Sequence, residues 1–167
     1  MKKNEKVFAG ELVIVRCPHQ REPDVTRFFS FEEAWNAYVA SGLVYTEYTS
    51  KAEVLIDSGI DEDDEEAIDK LRERLSEFSD DEPIVEADTA MNGDLQFYSA
   101  AKFTKEDALY EAARDDMSGC VIVYAATGET YGHLAERVFD ETRGHNAPTM
   151  TAIVRALCID DWNDDEE

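Results

Sequence analysis

Cysteine, histidine and long apolar runs are all scarce in this chain of 167 residues. The three cysteines, Cys17, Cys120 and Cys158, lie far apart, which disfavours a disulfide framework and favours reduced thiols. No apolar run approaches the roughly 20 residues that span a bilayer. The first 18 residues also lack the pattern of a secretory signal. We therefore expect a soluble cytoplasmic protein.

Motifs of catalysis and metal binding are absent as well. The three histidines, His19, His133 and His145, show no zinc-site spacing, and no glycine-rich nucleotide loop or Gly-x-Ser-x-Gly motif occurs. Cys17 and His19 would point to the same side of an extended segment, but a strand cysteine followed by a loop histidine is the favoured interpretation. The sequence therefore predicts no catalytic residue, metal or cofactor. An enzyme whose site is built from scattered residues ranks third, after the two binding functions that are described below.

Basic residues are few, because the chain has 16 of them against 39 acidic residues and a net charge of −23. Such a chain repels phosphates, which argues against direct binding of nucleic acid or of an anionic membrane. The excess is localised: residues 57–88 hold 15 acidic and 3 basic residues, and residues 160–167 hold six acidic residues and no basic one. Residues 1–56, with 8 acidic and 7 basic residues, are nearly neutral.

Short apolar segments alternate with capped, amphipathic segments, which predicts an α+β fold with a mixed or antiparallel sheet and about five helices. Residues 19–29 are predicted as a loop, and residues 52–57 as a strand whose period also allows a short helix. Asn92-Gly93 predicts a hairpin turn. The predicted strands are residues 11–16, 43–48, 52–57, 84–88, 95–99 and 120–126, and the predicted helices are residues 30–41, 63–78, 104–117, 131–142 and a last one from about residue 148.

The chain is predicted to fold as one compact domain over residues 1–159, followed by an acidic tail over residues 160–167. Residues 29–34 (FSFEEA) resemble residues 103–108 (FTKEDA), and both segments run on to Ser-Gly and an apolar strand. This similarity suggests two related strand-helix-strand units, within residues 1–56 and 89–159, that flank an acidic helical insert at residues 57–88. Any two well-capped helices that lead into strands would look the same.

The acidic insert contains an apolar stripe at helical spacing, which predicts a helix over residues 63–78. On this helix Asp69, Glu73 and Glu77 would form a row with steps of about 6 Å, comparable to the phosphate spacing along a DNA strand. A plain solvated face is the other interpretation, but a net charge of about 2 to 8 already keeps a small domain soluble. The predicted partner-binding residues are Asp61, Glu62, Asp63, Asp64, Glu65, Glu66, Asp69, Glu73, Glu77, Asp80, Asp81 and Glu82.

In its small size, extreme acidity, absence of catalytic motifs and acidic cluster DEDDEEAIDKLRERLSEFSDDE at residues 61–82, the chain resembles the acidic DNA-mimic proteins of phages and mobile elements, the antirestriction and anti-CRISPR class. The resemblance implies a noncatalytic inhibitor in the bacterial host cytoplasm. Its partner would be a basic nucleic-acid-binding protein, such as a nuclease, a restriction enzyme or a CRISPR surveillance complex. The alternative is an acidic immunity or antitoxin protein that neutralises a basic toxin or nuclease.

Overall fold

The computed structural model describes residues 1–88, 95–114, 118–144 and 146–162, and within them it contains six helices and six strands. The strands form two antiparallel three-stranded sheets. The predicted α+β class is therefore confirmed. The elements in chain order are β1 (Leu12–Pro18), β2 (Asp24–Phe28), α1 (Phe31–Ala40), β3 (Tyr45–Tyr48), α2 (Lys51–Asp57), α3 (Glu65–Arg74), β4 (Ile84–Asp88), β5 (Leu95–Ser99), α4 (Lys105–Ala113), β6 (Ser118–Tyr124), α5 (Tyr131–Glu141) and α6 (Met150–Ala156).

The chain divides into two compact units, which we call the terminal unit (residues 1–40 and 113–167) and the central unit (residues 41–112). The predicted acidic insert, residues 57–88, lies within the central unit. Organisation of residues 1–159 as one domain stays a prediction. None of the helices in the described ranges is long and apolar enough to cross a membrane.

The sheet of the terminal unit has the strand order β2-β1-β6. Because side chains alternate between the two faces of a strand, Val13 and Val15 of β1 point to one face, where they pack with Leu134 of α5 and Ile153 of α6. All four side chains are almost completely buried. The predicted strand at residues 11–16 is confirmed, and it forms the centre of this sheet.

β2 lies in the segment that is predicted as a loop, and the structure corrects this prediction at Asp24–Phe28. Its backbone pairs with β1 from Asp24 opposite Arg16 to Phe28 opposite Leu12. β2 is half-exposed and carries two charged residues, as edge strands commonly do. The weak apolar pattern of such a strand explains why the sequence did not indicate it.

The sheet of the central unit has the strand order β3-β4-β5. Helices α2 and α3 supply Val54, Leu71 and Leu75 to an apolar cluster with Ile84 of β4. The strand predicted for residues 52–57 is wrong, and the short helix that their period also allowed is present as α2. Ser50 caps this helix by accepting a hydrogen bond from the Glu53 N–H, and the helical turn directs Val54 into the cluster.

The acidic helix α3 is present but shorter than the predicted range of residues 63–78. It begins after the cap residue Asp64, whose carboxylate accepts a hydrogen bond from the Ala67 N–H at 3.1 Å. It ends at Arg74, where the Ser76 hydroxyl donates to the Glu73 carbonyl at 2.7 Å. A serine that bonds to the backbone in this way competes with helix continuation, so Glu77 lies beyond the helix.

The predicted pairing of residues 84–88 with residues 95–99 is confirmed, with Ile84 opposite Ser99 and Asp88 opposite Leu95. Four predicted features or residues lie outside the described residues. They are the Asn92-Gly93 turn, the end of the predicted helix near Met117, His145, and residues 163–167 of the predicted tail 160–167.

The two similar segments both form capped helices that link one sheet to the other. Helix α1 connects β2 of the terminal sheet to β3 of the central sheet, and α4 connects β5 back to β6. Ser30 and Thr104 cap them by accepting hydrogen bonds from the N–H groups of Glu33 and Asp107. Duplication of a strand-helix-strand unit stays a prediction.

Candidate partner-binding surface

The twelve predicted partner-binding residues all belong to the central unit. Eleven of them are exposed, and Glu82 is half-buried. We call this set, residues 61–66, 69, 73, 77 and 80–82, the acidic surface. Its members differ in what their carboxylates already bind, and this difference separates structural acids from acids that are available to a partner.

Three carboxylates of the acidic surface are used by the fold itself. Asp64 caps α3, and Asp61 accepts a hydrogen bond from the Asp63 N–H at 3.3 Å. Glu82 accepts hydrogen bonds from the Ser99 hydroxyl at 2.6 Å and from the Ser79 N–H at 3.1 Å. The Ser99 hydroxyl and then the Ser79 N–H lower the pKa of Glu82 below its ordinary value of 4.5.

Three further carboxylates form exposed ion pairs. Glu66 contacts Lys70 at 2.7 Å, and Asp69 contacts Arg72 at 3.4 Å on the same helix. Asp80 lies 3.7 Å from the Lys51 ammonium. Exposed pairs of this kind contribute about 0–1 kcal/mol and exchange readily with other partners.

The remaining six carboxylates have no side-chain hydrogen bond or ion pair with any described part of the chain. They include Glu73 on α3 and Glu77 just after it. The central unit as a whole holds 21 acidic and 6 basic residues, so its field is strongly negative. The six carboxylates without a side-chain partner are those of Glu62, Asp63, Glu65, Glu73, Glu77 and Asp81.

Helix α3 tolerates this charge because of where its acids and bases lie. Glu65 and Glu66 are in its first turn, and Arg72 and Arg74 are in its last turn. Both arrangements are favourable to the helix macrodipole, by about 0.3–1 kcal/mol for each well-placed charge. The predicted row of three carboxylates is reduced to Asp69 and Glu73, which are one turn apart, because the helix ends before Glu77.

A shallow depression of about 310 Å³ lies beside the C-terminal end of α3, within the central unit. Its walls include Glu73, Glu77, Phe78 and Phe97. The Arg74 guanidinium carbon stands 4.6 Å from the centroid of the Phe97 ring. The sequence did not indicate this feature, since Phe97 belongs to β5 and comes to α3 only through the fold.

Two buried carboxylates of the terminal unit also have no counterpart in the sequence predictions. Glu11 is fully buried, and its Oε1 accepts a hydrogen bond from the Tyr131 hydroxyl at 2.9 Å. Among the described residues, no group bonds to its other oxygen, Oε2. The Phe8 N–H also donates to Oε1 at 3.5 Å, so Glu11 is an internal polar contact.

The second buried carboxylate, Glu129, is held at both oxygens by the Arg137 guanidinium. Burial alone would raise the pKa of Glu129, but donation from Arg137 and from the Ala126 N–H lowers it. His133 lies 2.9 Å from the same carboxylate. The group thus ties α5, through His133 and Arg137, to the loop that precedes it.

The sequence raised a Cys17–His19 pair as a weak catalytic candidate. Cys17 is half-buried and His19 is exposed. Burial raises the pKa of the Cys17 thiol, which is opposite to the shift that activates a thiolate. In the ranges that the structure describes, no group of three or more His, Cys, Asp or Glu side chains could hold a metal ion.

No protein-family model, curated protein or solved structure matches this chain.

Proposed function

We propose that this protein is a noncatalytic inhibitor that mimics nucleic acid and blocks a basic, nucleic-acid-binding defence protein in the cytoplasm of a bacterial host. The target class is a nuclease, a restriction enzyme or a CRISPR surveillance complex. The contact surface is the acidic surface of the central unit. The protein itself binds neither nucleic acid nor membrane.

One observation carries the proposal: six exposed carboxylates of the acidic surface have no side-chain partner in the described chain. An ordinary solvated face would pair many of its acids with nearby bases, as Glu66 and Asp69 do. Carboxylates without such pairs leave a concentrated negative field, which a binding groove lined with lysine and arginine would neutralise.

This mode of binding has a definite physical signature. A negative surface steers a basic partner toward it, so association is fast at low salt and slows as salt screens the charges. Because DNA or RNA occupies the same basic groove, the nucleic acid and the inhibitor compete for one site.

The proposal is tested by capturing the partner and asking what displaces it. The purified protein is immobilised, proteins of a bacterial host extract are bound, and duplex DNA or RNA is added as competitor. Release of a basic nucleic-acid-binding protein by nucleic acid supports mimicry. Capture of a small toxin that nucleic acid does not release and only denaturant removes would favour the immunity or antitoxin function instead.

A charge-reversed variant locates the surface. Asp69, Glu73 and Glu77 changed together to Lys should abolish partner capture, since all three are exposed and off the apolar cluster. The matched control reverses Glu22, Glu32 and Glu136, three exposed acids of the terminal unit. Both variants change the net charge equally, so equal loss of binding in the two would contradict the proposed surface.

A further inference from the structure

The depression beside α3 combines two chemical features that do not occur together on the rest of the acidic surface. Glu73 and Glu77 bring two carboxylates that have no partner in the described chain, and Phe78 and Phe97 bring aromatic rings. Carboxylates attract any cation, whereas an aromatic face selects cations that can shed water and lie over the ring. The depression is therefore more selective than the acids around it.

The Phe97 ring already contacts one cation of the chain, the guanidinium of Arg74. The Arg74 guanidinium stands 4.6 Å from the ring centroid, and it donates a hydrogen bond to the Leu95 carbonyl at 2.8 Å. Phe97 also packs against the apolar cluster of the central unit. Phe97 is half-buried in this packing, so a cation that stacks where the Arg74 guanidinium lies has to displace it.

We propose that this depression receives a single arginine side chain of the basic partner, and that Arg74 occupies its place until the partner binds. This inference rests on the proposed function. A guanidinium suits the site because it stacks on a ring and pairs with a carboxylate through two parallel hydrogen bonds. A phosphate or a nucleotide does not suit it, since Glu73 and Glu77 would repel the negative charge.

A small probe tests the site without knowledge of the partner. Ethylguanidinium chloride is titrated into the protein, and the ring resonances of Phe78 and Phe97 are followed by NMR. Ethylammonium chloride at the same ionic strength is the control. We expect millimolar binding with shifts centred on these two rings, and a weaker response to ethylammonium. Equal shifts from both cations, spread over all acidic residues, would overturn the inference.

Two variants sharpen the test. Arg74→Gln removes the internal competitor and should tighten guanidinium binding by about 2- to 5-fold, the usual strength of an exposed cation–ring contact. Phe97→Leu keeps an apolar side chain of similar size for packing and should remove the preference for guanidinium. Glu77→Gln, outside both helix and cluster, weakens binding by charge alone. Unchanged affinity in the Arg74→Gln and Phe97→Leu variants would contradict the proposed site.

The captured partner separates this inference from the proposed function. If reversal of Asp69, Glu73 and Glu77 abolishes capture but Phe97→Leu and Arg74→Gln leave it unchanged, the arginine site is wrong while the acidic surface stands. If neither set of changes alters capture, the proposed function and the arginine site are both wrong, and ethylguanidinium binding at the rings shows only an affinity that the captured partner does not use.

Discussion

The central unit holds 21 acidic and 6 basic residues in 72 positions, whereas the terminal unit holds 18 acidic and 10 basic residues in 95 positions. Six of the acids of the terminal unit belong to residues 160–167, so the rest of that unit is almost neutral. Both units nevertheless bury an apolar cluster between helices and a three-stranded sheet. The excess charge of the central unit therefore lies on the surface of a unit that, like the terminal unit, has a buried apolar core.

The largest effect is expected for a substitution in the apolar core of the terminal unit, which tests whether packing stabilises that unit. Leu134→Ala removes a fully buried side chain of α5 and should lower the free energy of unfolding by about 2–5 kcal/mol. Chemical denaturation at low and at high salt measures it, and the loss should be the same in both because packing is not screened. Phe139→Ala, a change at a more exposed position of the same helix, should cost much less. If the loss in the free energy of unfolding depended strongly on salt, apolar packing would not be the main stabilisation of the terminal unit.

A smaller effect concerns the charge of the central unit. Repulsion among its acids opposes folding, and added salt shortens the range of that repulsion from about 10 Å at 0.1 M to about 3 Å at 1 M. Amide hydrogen exchange in β4 and β5 should therefore slow with salt more than exchange in β1, by an amount on the order of 1 kcal/mol. An equal response of the two sheets would mean that the charge does not burden the central unit.

The smallest effect concerns one carboxylate of the acidic surface. Because the pKa of Glu82 is lower in the folded chain than its ordinary value of 4.5, its hydrogen bonds add stability above that pH, which is lost as pH falls through the folded pKa. Ser99→Ala removes the main donor and should raise the pKa of Glu82 toward 4.5, as measured by NMR titration. Ser76→Ala, whose hydroxyl bonds to a backbone carbonyl, should leave it unchanged. An unaltered titration in the Ser99 variant would contradict the assigned cause.

Sequence patterns predicted the parts of this fold that depend on neighbouring residues. The Ser30 and Thr104 caps and the apolar face of α3 were visible because their partners lie three or four residues away. The strand β2 was not visible, since its pairing with β1 stabilises it more than its own pattern does. Helix α2 was predicted as a strand, with a short helix as the alternative, because its seven residues with apolar positions at Ala52, Val54, Leu55 and Ile56 are too few to distinguish the two periods.

For the acidic surface too, the sequence predicted the features that are local in the chain and missed those that depend on contacts across the fold. Clusters of acids are counted directly from the sequence, and eleven of the twelve predicted residues are exposed. Which of them are already bonded depends on contacts across the fold, such as that of Ser99 with Glu82. The approach of Phe97 to Arg74 joins a strand to a helix 23 positions away in the chain, and no local pattern encodes it.

The position of the central unit within the chain affects how the protein folds. Strand β1 pairs with β6, which brings Leu12 opposite Tyr124. In the amino-acid sequence, the whole central unit separates these two residues. The central sheet uses nearer partners, since β4 and β5 form a hairpin. On the ribosome β1 is made long before β6, so the central unit can fold before β6 is available. A folded central unit shortens the flexible loop between β1 and β6, and this lowers the entropy cost of pairing these two strands. The pairing of β1 with β6 in the sheet of the terminal unit is therefore expected to form last and to set the folding rate.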